Sequence, residues 1–287
     1  MIEPEWRFKT VDEDCVTEVA ETFSLPRTIA RVMSLKGINT RDDSREYFYP
    51  DIQRLHDPFL LKDMDIAVER VLLTISQKKK IIIFGDYDVD GTTSAAFLTL
   101  FFRSINVDVQ YYIPSRENEG YGVSKKGIDY AKLIGADIFI TCDCGINAFK
   151  QVDYANELGL DVIITDHHKP EGTLPNSVAI VNPNRFDCEY PFKGLCGAGV
   201  AFKLALAICE KGGYDPGLAW AFCDIVTLGI AADLVPIKDE NRVIVYNGIR
   251  QMRKQTNLGI TALLKTGGLW KKELTVGRLV FWVAPKI

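Results

Sequence analysis

The run Ile81-Ile-Ile-Phe-Gly85, which leads directly into Asp86-Tyr-Asp88-Val-Asp90-Gly91, decides the fold. Its first half is short and continuously apolar, as is typical of a strand buried on both faces of a parallel sheet. Four more candidate strands follow at 107–113, 137–142, 161–165 and 178–181. Because helical patterns separate these strands, the sequence predicts βαβ units and an α/β fold, a doubly wound parallel sheet flanked by helices.

Helical patterns also precede and follow the sheet region. Residues 1–75 are predicted to form a helical N-terminal leader, with candidate helices at 17–23, 28–35 and 63–77 and a break at 47–51. Helices are predicted between the strands at 92–104, 124–134 and 147–158, and after the sheet at 199–211, 218–232, 241–253 and 259–265. We therefore expect three parts: the leader, a sheet domain with its following helices over 76–265, and a connecting segment over 266–287.

The composition is that of a soluble, folded protein: 287 residues, of which 47% are hydrophobic and 25% charged. These values exclude a disordered chain, a collagen-like chain and a small disulfide scaffold. The most apolar stretch, 218–237, contains Asp224 and Asp233, which would each cost about 2.5–3.5 kcal/mol near the centre of a bilayer, so we expect a buried helix there. The seven cysteines lack CxxC spacing, which predicts a reduced, cytoplasmic protein without a structural zinc site.

The charge is unevenly distributed along the chain. The net charge is −4 and the sequence pI is about 5.5, which argues against a generally basic protein that coats nucleic acid. Residues 81–180 contain 7 basic and 14 acidic side chains, a net charge of −7, whereas residues 181–287 contain 14 and 9, a net charge of +5. The acidic middle third requires a reason.

Carboxylates follow three of the predicted strands. The first strand leads into Asp86, Asp88 and Asp90, the third into Asp143, and the fourth into Asp166-His167-His168. In an open parallel sheet these strand ends meet along one edge, where ligands bind. Crowding this much negative charge in one place is costly without cations. Helix N-caps are the alternative interpretation for Asp90 and Asp143, because Asp is favoured at that position.

The adjacent histidines favour a metal site. The chain has only three histidines, and two of them, His167 and His168, follow Asp166 directly. A set of mostly oxygen ligands with an imidazole favours Mn²⁺ or Mg²⁺ over an ion that prefers thiolates. Two such ions would generate a hydroxide and clamp a phosphoryl group. The residues alone therefore predict metal-assisted hydrolysis of a phosphoester.

Several motifs resemble those of the DHH phosphoesterase superfamily. They are Phe84-Gly-Asp-Tyr-Asp-Val-Asp-Gly-Thr-Thr-Ser94, Thr141-Cys-Asp-Cys-Gly145, Asp166-His167-His168 and Gly229-Ile-Ala-Ala-Asp-Leu-Val-Pro236. Within the superfamily, the chain is similar to the bacterial RecJ exonuclease family. That choice depends on the helical leader and on Ile113-Pro-Ser-Arg116 with Gly120-Tyr-Gly122, Cys196-Gly-Ala-Gly-Val-Ala-Phe-Lys203, and Pro285-Lys-Ile287.

The resemblance implies roles for individual residues. The implied metal ligands are Asp88, Asp90, Asp143, His167 and Asp233. Asp90 is expected to bridge the two ions and Asp86 is a further candidate, either as a ligand or as the partner of one. His168 is expected to face the scissile phosphate, where it would stabilise developing charge or protonate the leaving oxygen; with Asp90 and Asp143 it forms the expected catalytic set. Arg116 is expected to bind substrate phosphate, with an exposed loop arginine as the alternative.

Two further expectations concern helix ends. Asp224 and Asp233 are nine residues apart and would point in opposite directions on one regular helix. Since Pro236 suggests that the helix ends nearby, we expect Asp233 at the helix end facing the metals and Asp224 in a structural role. The loop 194–199 precedes a helix and is rich in glycine, so either its N–H groups bind a phosphate or its glycines permit close packing.

The RecJ resemblance implies a metal-dependent 5′→3′ exonuclease that releases 5′-mononucleotides from single-stranded DNA, in DNA repair and recombination, with two Mn²⁺ or Mg²⁺ ions and no membrane partner. A DHH-type phosphodiesterase or phosphatase for short oligonucleotides or small nucleotides is the alternative, and a non-catalytic scaffold is a third, which the complete acid and histidine set disfavours. In the RecJ family the chain continues past a Pro-Arg-Ile-Asn-like element into a domain that binds DNA. The corresponding residues here are Pro285-Lys-Ile287. We therefore interpret 266–287 as the start of a connection to a further domain, and expect weak binding of long DNA.

Overall fold

A computed structural model describes residues 5, 7–254 and 257–287 of the chain. The chain divides into two compact units, residues 1–54 and residues 55–287. The smaller unit contains the helices α1 (Glu13–Phe23), α2 (Arg27–Leu35) and α3 (Arg41–Phe48). Val16 and Val19 of α1 pack with Ala30 and Met33 of α2 to form its core. The domain limits expected from the sequence, 75/76 and 265/266, stay predictions.

The larger unit is built on a five-stranded sheet in which all neighbouring strands are parallel. Its strands are β1 (Lys80–Gly85), β2 (Val109–Tyr112), β3 (Ala136–Cys142), β4 (Asp161–Thr165) and β5 (Ala179–Val181). Their spatial order is β2-β1-β3-β4-β5. The α/β prediction is therefore confirmed, and each of the five predicted strands is present.

Helices cover both faces of this sheet. In chain order the helices described in the larger unit are α4 (Met64–Ser76), α5 (Val89–Ser104), α6 (Lys125–Leu133), α7 (Phe149–Glu157), α8 (Gly197–Gly212), α9 (Gly217–Trp220), α10 (Cys223–Ala232), α11 (Asp239–Lys254), α12 (Leu258–Thr266) and α13 (Val276–Trp282). Ile81 and Ile83 belong to one buried cluster with α4, α5 and α8. Ile82 and Phe84 belong to a second, with α6 and α7. The alternation follows from the two-residue period of a strand.

The sheet order places a crevice at one edge. From β1 the chain passes through α5 to β2 on one side, and it returns through α6 to β3 on the other side of β1. The connections therefore diverge between β1 and β3, and such a switch point opens a crevice at the carboxyl ends of the strands. That is the edge at which the acidic loops lie.

One helix prediction was wrong. The single helix expected over 218–232 is two helices, α9 and α10, separated by residues around Phe222. The carbonyl of Ala221 accepts a hydrogen bond from the side-chain amide of Gln251 on α11 instead of continuing the helix. Among the described residues, no helix has the length and apolar character that a membrane span requires.

Candidate active site

Three buried carboxylates follow β1, β3 and β4 at the same level. The parallel register aligns the ends of these strands, so that Asp86, Asp143 and Asp166 emerge side by side. Their backbones extend the sheet by one step, because Asp143 N–H donates to the Thr165 carbonyl at 2.9 Å and Asp166 N–H donates to the Val181 carbonyl at 3.1 Å. The fold therefore brings together acids that are far apart in the sequence.

Asp86 is fully buried. Oδ1 of Asp86 accepts the N–H of Tyr87 at 2.7 Å, while Oδ2 is buried and has no hydrogen-bond partner among the described residues. Burial raises the pKa of Asp86 above its ordinary value. Its role as ligand or as partner of a ligand stays a prediction.

The alternative interpretation, in which Asp90 and Asp143 are helix N-caps, does not match the structure. Asp88, not Asp90, is the N-cap of α5, and its Oδ1 accepts the N–H of Gly91 at 2.9 Å. Asp90 lies inside the first turn of that helix. Asp143 caps no helix, because α7 begins after Ala148. Capping therefore accounts for one of these acids and leaves Asp90 and Asp143 to be explained.

The N-terminus of α8 holds Asp90. The carboxylate of Asp90 accepts N–H groups from Gly197 at 2.6 Å and from Ala198 at 3.0 Å. A Cβ on Gly197 would lie 2.5 Å from Cβ of Asp143, so only glycine permits this approach. Of the two interpretations of loop 194–199, close packing is therefore the one that the structure supports. These two N–H groups are directed at Asp90.

Nε2 of His167 lies among three carboxylates. It is 3.0 Å from Asp143 Oδ1, 3.8 Å from Asp233 Oδ2 and 3.9 Å from Asp90 Oδ2. Asp233 is the C-cap of α10, and Asp224 lies in the first turn at the opposite end of that helix. The helix end thus brings Asp233 to the cluster and keeps Asp224 away from it.

Two overlapping sets of these side chains could hold a metal ion. The ligand atoms of Asp90, His167 and Asp233 lie within 4.8 Å of one another, and so do those of Asp143, His167 and His168. Neither set includes Asp86 or Asp88. Four of the sequence-predicted ligands, Asp90, Asp143, His167 and Asp233, are thus close neighbours, whereas the fifth, Asp88, is exposed.

The electrostatics of the cluster fit a cation. Asp143 Oδ1 and His167 Nε2 are buried and make no hydrogen bond with any described group, although they are close to each other. Burial and the carboxylates of Asp90 and Asp88 raise the pKa of Asp143 far above its ordinary value, and raise that of Asp233 to about 7. Burial lowers the pKa of His167, which favours the neutral imidazole that binds metals.

His168 is oriented by Asp166, in a role that the sequence did not reveal. Its Nδ1 is 2.8 Å from Oδ1 of Asp166, and this hydrogen bond raises the pKa of His168. Burial alone would raise the pKa of Asp166, but the hydrogen bonds and charge of His168 outweigh it and lower that pKa. On the other side of the ring, Nε2 lies 3.2 Å from the hydroxyl of Tyr121.

Arg116 is exposed and lies further from the cluster. Its guanidinium sits over the ring of Tyr87, 5.4 Å from the centroid, and Tyr87 meets Tyr121 edge to face at 6.1 Å. Tyr121 and His168 in turn line a cleft of about 410 Å³. The rings of Tyr87 and Tyr121 thus connect Arg116 to the site. Its predicted contact with phosphate stays a prediction.

Three residues of the site escaped sequence reasoning: Asp166 as the partner of His168, and the asparagines Asn182 and Asn184. The position of Asp166 directly after β4, beside the two histidines, was a usable signal. The asparagines carry no such signal, because their contacts arise only when β5 pairs with β4.

The cysteines are all free thiols. Cys142 and Cys144 would share a face if both were on a strand. In the structure β3 ends at Cys142, and Asp143 adopts a left-handed backbone with φ of 61°. Cys142 and Cys144 consequently join the clusters on opposite faces of the sheet.

Comparisons with known proteins match the part of the chain that contains these motifs. A family profile described as the DHH family, N-terminal domain, matches residues 80–230. The Single-stranded-DNA-specific exonuclease RecJ of Bacillus subtilis is 38% identical over 282 residues, which cover 98% of this chain and 35% of the relative. The protein of the same name from Salmonella typhimurium is 39% identical over 239 residues, 79% of this chain and 41% of the relative. The chain therefore spans less than half the length of either relative.

A solved structure agrees with these relatives. The crystal structure of RecJ from Thermus thermophilus in complex with Mn²⁺ superposes with a TM-score of 0.79 at 27% identity, over 96% of this chain and 38% of that one. The profile match covers all five strands and the motifs at their ends. On this basis the chain belongs to the DHH family.

Proposed function

We propose that this protein is a metal-dependent hydrolase that degrades single-stranded DNA from the 5′ end and releases 5′-mononucleotides. The observation that carries the proposal is the convergence of Asp90, Asp143 and Asp233 on Nε2 of His167. The relatives named as single-stranded-DNA-specific exonucleases support the choice of substrate. We further propose that the protein works in the cytoplasm, in DNA repair and recombination.

The metal centre takes two ions of Mn²⁺ or Mg²⁺ in this proposal. The ligands are Asp88, Asp90, Asp143, His167 and Asp233, with Asp86 as a further candidate. The buried Asp143 Oδ1 and His167 Nε2 support it, since both lack hydrogen bonds to described groups. Such ions, when bound, supply positive charge for a phosphoryl group and acidify a water molecule.

His168 is the proton donor of the proposed reaction. The bond from Nδ1 to Asp166 fixes the ring and favours the imidazolium, so Nε2 carries a proton toward the site. That proton can stabilise a phosphate oxygen or pass to the leaving 3′-oxygen. Burial and the nearby carboxylates raise the pKa of Tyr121, which keeps its hydroxyl protonated as a second donor beside His168.

Arg116 contributes to substrate binding in this proposal. Its exposed guanidinium, stacked on Tyr87, presents several N–H donors that match phosphate oxygens. Since it lies two rings away from the metal ligands, we assign it a phosphate other than the scissile one. An arginine in this position would hold the strand rather than take part in bond cleavage.

The test is digestion of single-stranded DNA labelled at either end, with Mn²⁺. We expect labelled mononucleotides first from the 5′-labelled strand, and no activity for Asp143→Asn. Release from the 3′ label alone would overturn the polarity. Faster turnover of dinucleotides or 3′-phosphoadenosine phosphate than of a long strand would instead favour the small-nucleotide phosphodiesterase.

A further inference from the structure

The backbone of His167 and His168 lies beyond the end of the sheet. The last hydrogen bond between β4 and β5 is the one that Asp166 N–H donates to the Val181 carbonyl, at 3.1 Å. After this point the strands separate, and the two histidines have no strand beside them. Yet a backbone polar group that is shielded from water needs a partner. The partners of this dipeptide are all side chains.

Asp166 satisfies the donors. Its Oδ1 accepts the N–H of His167 at 2.7 Å and the N–H of His168 at 3.0 Å, in addition to Nδ1 of the His168 ring. Its Oδ2 accepts the N–H of Ile146, in the loop after β3, at 3.0 Å. One carboxylate thus fixes the amide side of the dipeptide against the neighbouring loop.

Two asparagines after β5 satisfy the acceptors. Nδ2 of Asn184 donates to the carbonyl of His167 at 2.6 Å, and Nδ2 of Asn182 donates to the carbonyl of His168 at 2.9 Å. The two asparagines are themselves joined, because Oδ1 of Asn182 accepts the N–H of Asn184 at 2.7 Å. Asn182 is fully buried. Between the two asparagines, the carbonyl of Pro183 accepts a hydrogen bond from Nζ of Lys193 at 2.7 Å.

We propose that Asn182 and Asn184 are positioning residues that set the location of His167 and His168, and with them the affinity of the site for divalent cations. This inference rests on the proposed function, because it takes His167 as a ligand and His168 as a proton donor. In this proposal the asparagines are not themselves ligands of the metal or of the substrate. They act on the histidine backbone.

Asn182 and Asn184 together form a clamp on the histidine backbone, and its hydrogen bonds require amide groups. Asn182 donates to one backbone group while it accepts from another, and a side-chain amide carries both functions. A carboxylate would set an acceptor against the His168 carbonyl and add charge to an acidic cluster. An alanine at either position would leave one histidine carbonyl without its donor. The matched change is therefore Asn to Ala, which adds no charge.

The test compares Asn184→Ala and Asn182→Ala with Asn156→Ala. Asn156 is the control because it is exposed and its Nδ2 donates to a backbone carbonyl, that of Asn176, at 2.8 Å. Hydrogen exchange in EDTA, calorimetric titration with Mn²⁺ and urea unfolding are measured for each. We expect faster exchange over 166–168 and at least about tenfold weaker Mn²⁺ binding for the two clamp variants, and no change for the control.

The outcomes separate the positioning role from its alternatives. If the clamp variants unfold more easily but bind Mn²⁺ as the wild type does, the asparagines are merely structural and the proposal is wrong. Unchanged exchange over 166–168 would also overturn it. A wild-type protein that binds Mn²⁺ but releases no nucleotide would refute the proposed nuclease function instead, and the Mn²⁺ comparison would still decide the role of the clamp.

Discussion

At the scale of single residues, Gly229 shows how closely the site is packed. A Cβ at this position of α10 would lie 2.6 Å from Asp90 Oδ1 and 2.7 Å from Cβ of Ala198. The contact leaves no space for a methyl group, because the neighbours are a carboxylate held by two N–H groups and the first turn of α8. A glycine in mid-helix is otherwise unfavourable.

We expect Gly229→Ala to damage the metal site in spite of its better helix propensity. The methyl group would displace Asp90, so Mn²⁺ affinity and turnover should fall by at least about tenfold, as calorimetry and nuclease assays would measure. Gly277→Ala is the control, since Gly277 is helical and has open space around it. Equal effects from both substitutions would refute the packing argument.

The sequence predicted the acids of the site better than their supports. Asp86, Asp143 and His167 could be located because each follows a recognisable apolar strand. The hydrogen bonds from α8 to Asp90 could not be located in this way, since they depend on how α5 and α8 cross. The same applies to Asn182, whose contact requires the register between β4 and β5. Local patterns reveal strand ends, whereas long-range polar contacts emerge only in the folded chain.

At the scale of elements, the loop 115–124 between β2 and α6 carries both Arg116 and Tyr121. Glu119 ties its two ends: Oε1 accepts the N–H of Ser115 at 3.0 Å and Oε2 accepts the hydroxyl of Ser124 at 2.6 Å. The hydroxyl of Tyr112 on β2 also donates to this carboxylate. Glu119 therefore sets the course of the loop.

We expect Glu119→Ala to weaken substrate binding more than it slows chemistry. Because the loop would lose its anchors, KM for single-stranded DNA should rise roughly tenfold while kcat changes less. Glu117→Ala, at an exposed position of the same loop, should leave both constants unchanged. A fall in kcat at constant KM would contradict this assignment.

A second element-scale prediction concerns the amino ends of β3 and β4. Arg70 of α4 bonds to Asp137 at 2.7 Å and to Asp161 at 2.6 Å, and Lys79 bonds to Asp137 at 2.8 Å. Burial alone would raise the pKa of Asp137, but the hydrogen bonds from Lys79 and Arg70 lower it. The stabilisation is therefore present above the unfolded pKa of about 3.9 and is lost as the pH falls through the folded pKa.

Asp137→Asn should accordingly lower the free energy of unfolding by about 2 kcal/mol at neutral pH. The difference from wild type should shrink as the pH drops from about 4 through the lowered native pKa, because the carboxylate is protonated first in the unfolded chain and then in the folded one. Urea unfolding across this pH range measures it. Asp108→Asn, at an exposed ion pair, should change stability by no more than about 1 kcal/mol. A difference that stays constant with pH would refute the argument.

The elements that sequence reasoning missed have physical explanations. α3 has the sequence RDDSREYF, which lacks an apolar stripe and begins with a capping box between Thr40 and Asp43. The break between α9 and α10 depends on Gln251, a residue of another helix. The strands β1, β3, β4 and β5 were easier to predict, because strands buried on both faces show as apolar runs whatever packs on them.

At the scale of the whole molecule, the acidity of residues 81–180 converges on the site. Asp86, Asp90, Asp143 and Asp166 all lie in this segment and are buried. The raised pKa values of Asp143 and Asp233 mean that ionising both at neutral pH opposes folding unless a cation is present. Four of the 14 acidic side chains of this segment are therefore buried at the candidate site.

We expect Asp143→Asn to reverse the order of stability with metal. In EDTA the variant should unfold at a higher temperature than the wild type, because a buried carboxylate has been removed. In Mn²⁺ at about 100 times its Kd, the wild type should gain about 2.7 kcal/mol while the variant gains little. Thermal scans in both conditions test this. The control Asp153→Asn, at an exposed position of α7, should follow the wild type; if Asp143→Asn did so too, Asp143 would not be a ligand.

The hydrogen bonds between the start of α8 and Asp90 have a consequence for the order of folding. The cluster draws on segments from β1 to the end of α10, so it cannot form until these distant parts have come together. Contacts of such long range form late, and interactions absent from the transition state slow unfolding more than they speed folding. Bound Mn²⁺ would thus slow the unfolding of the native protein without increasing its folding rate.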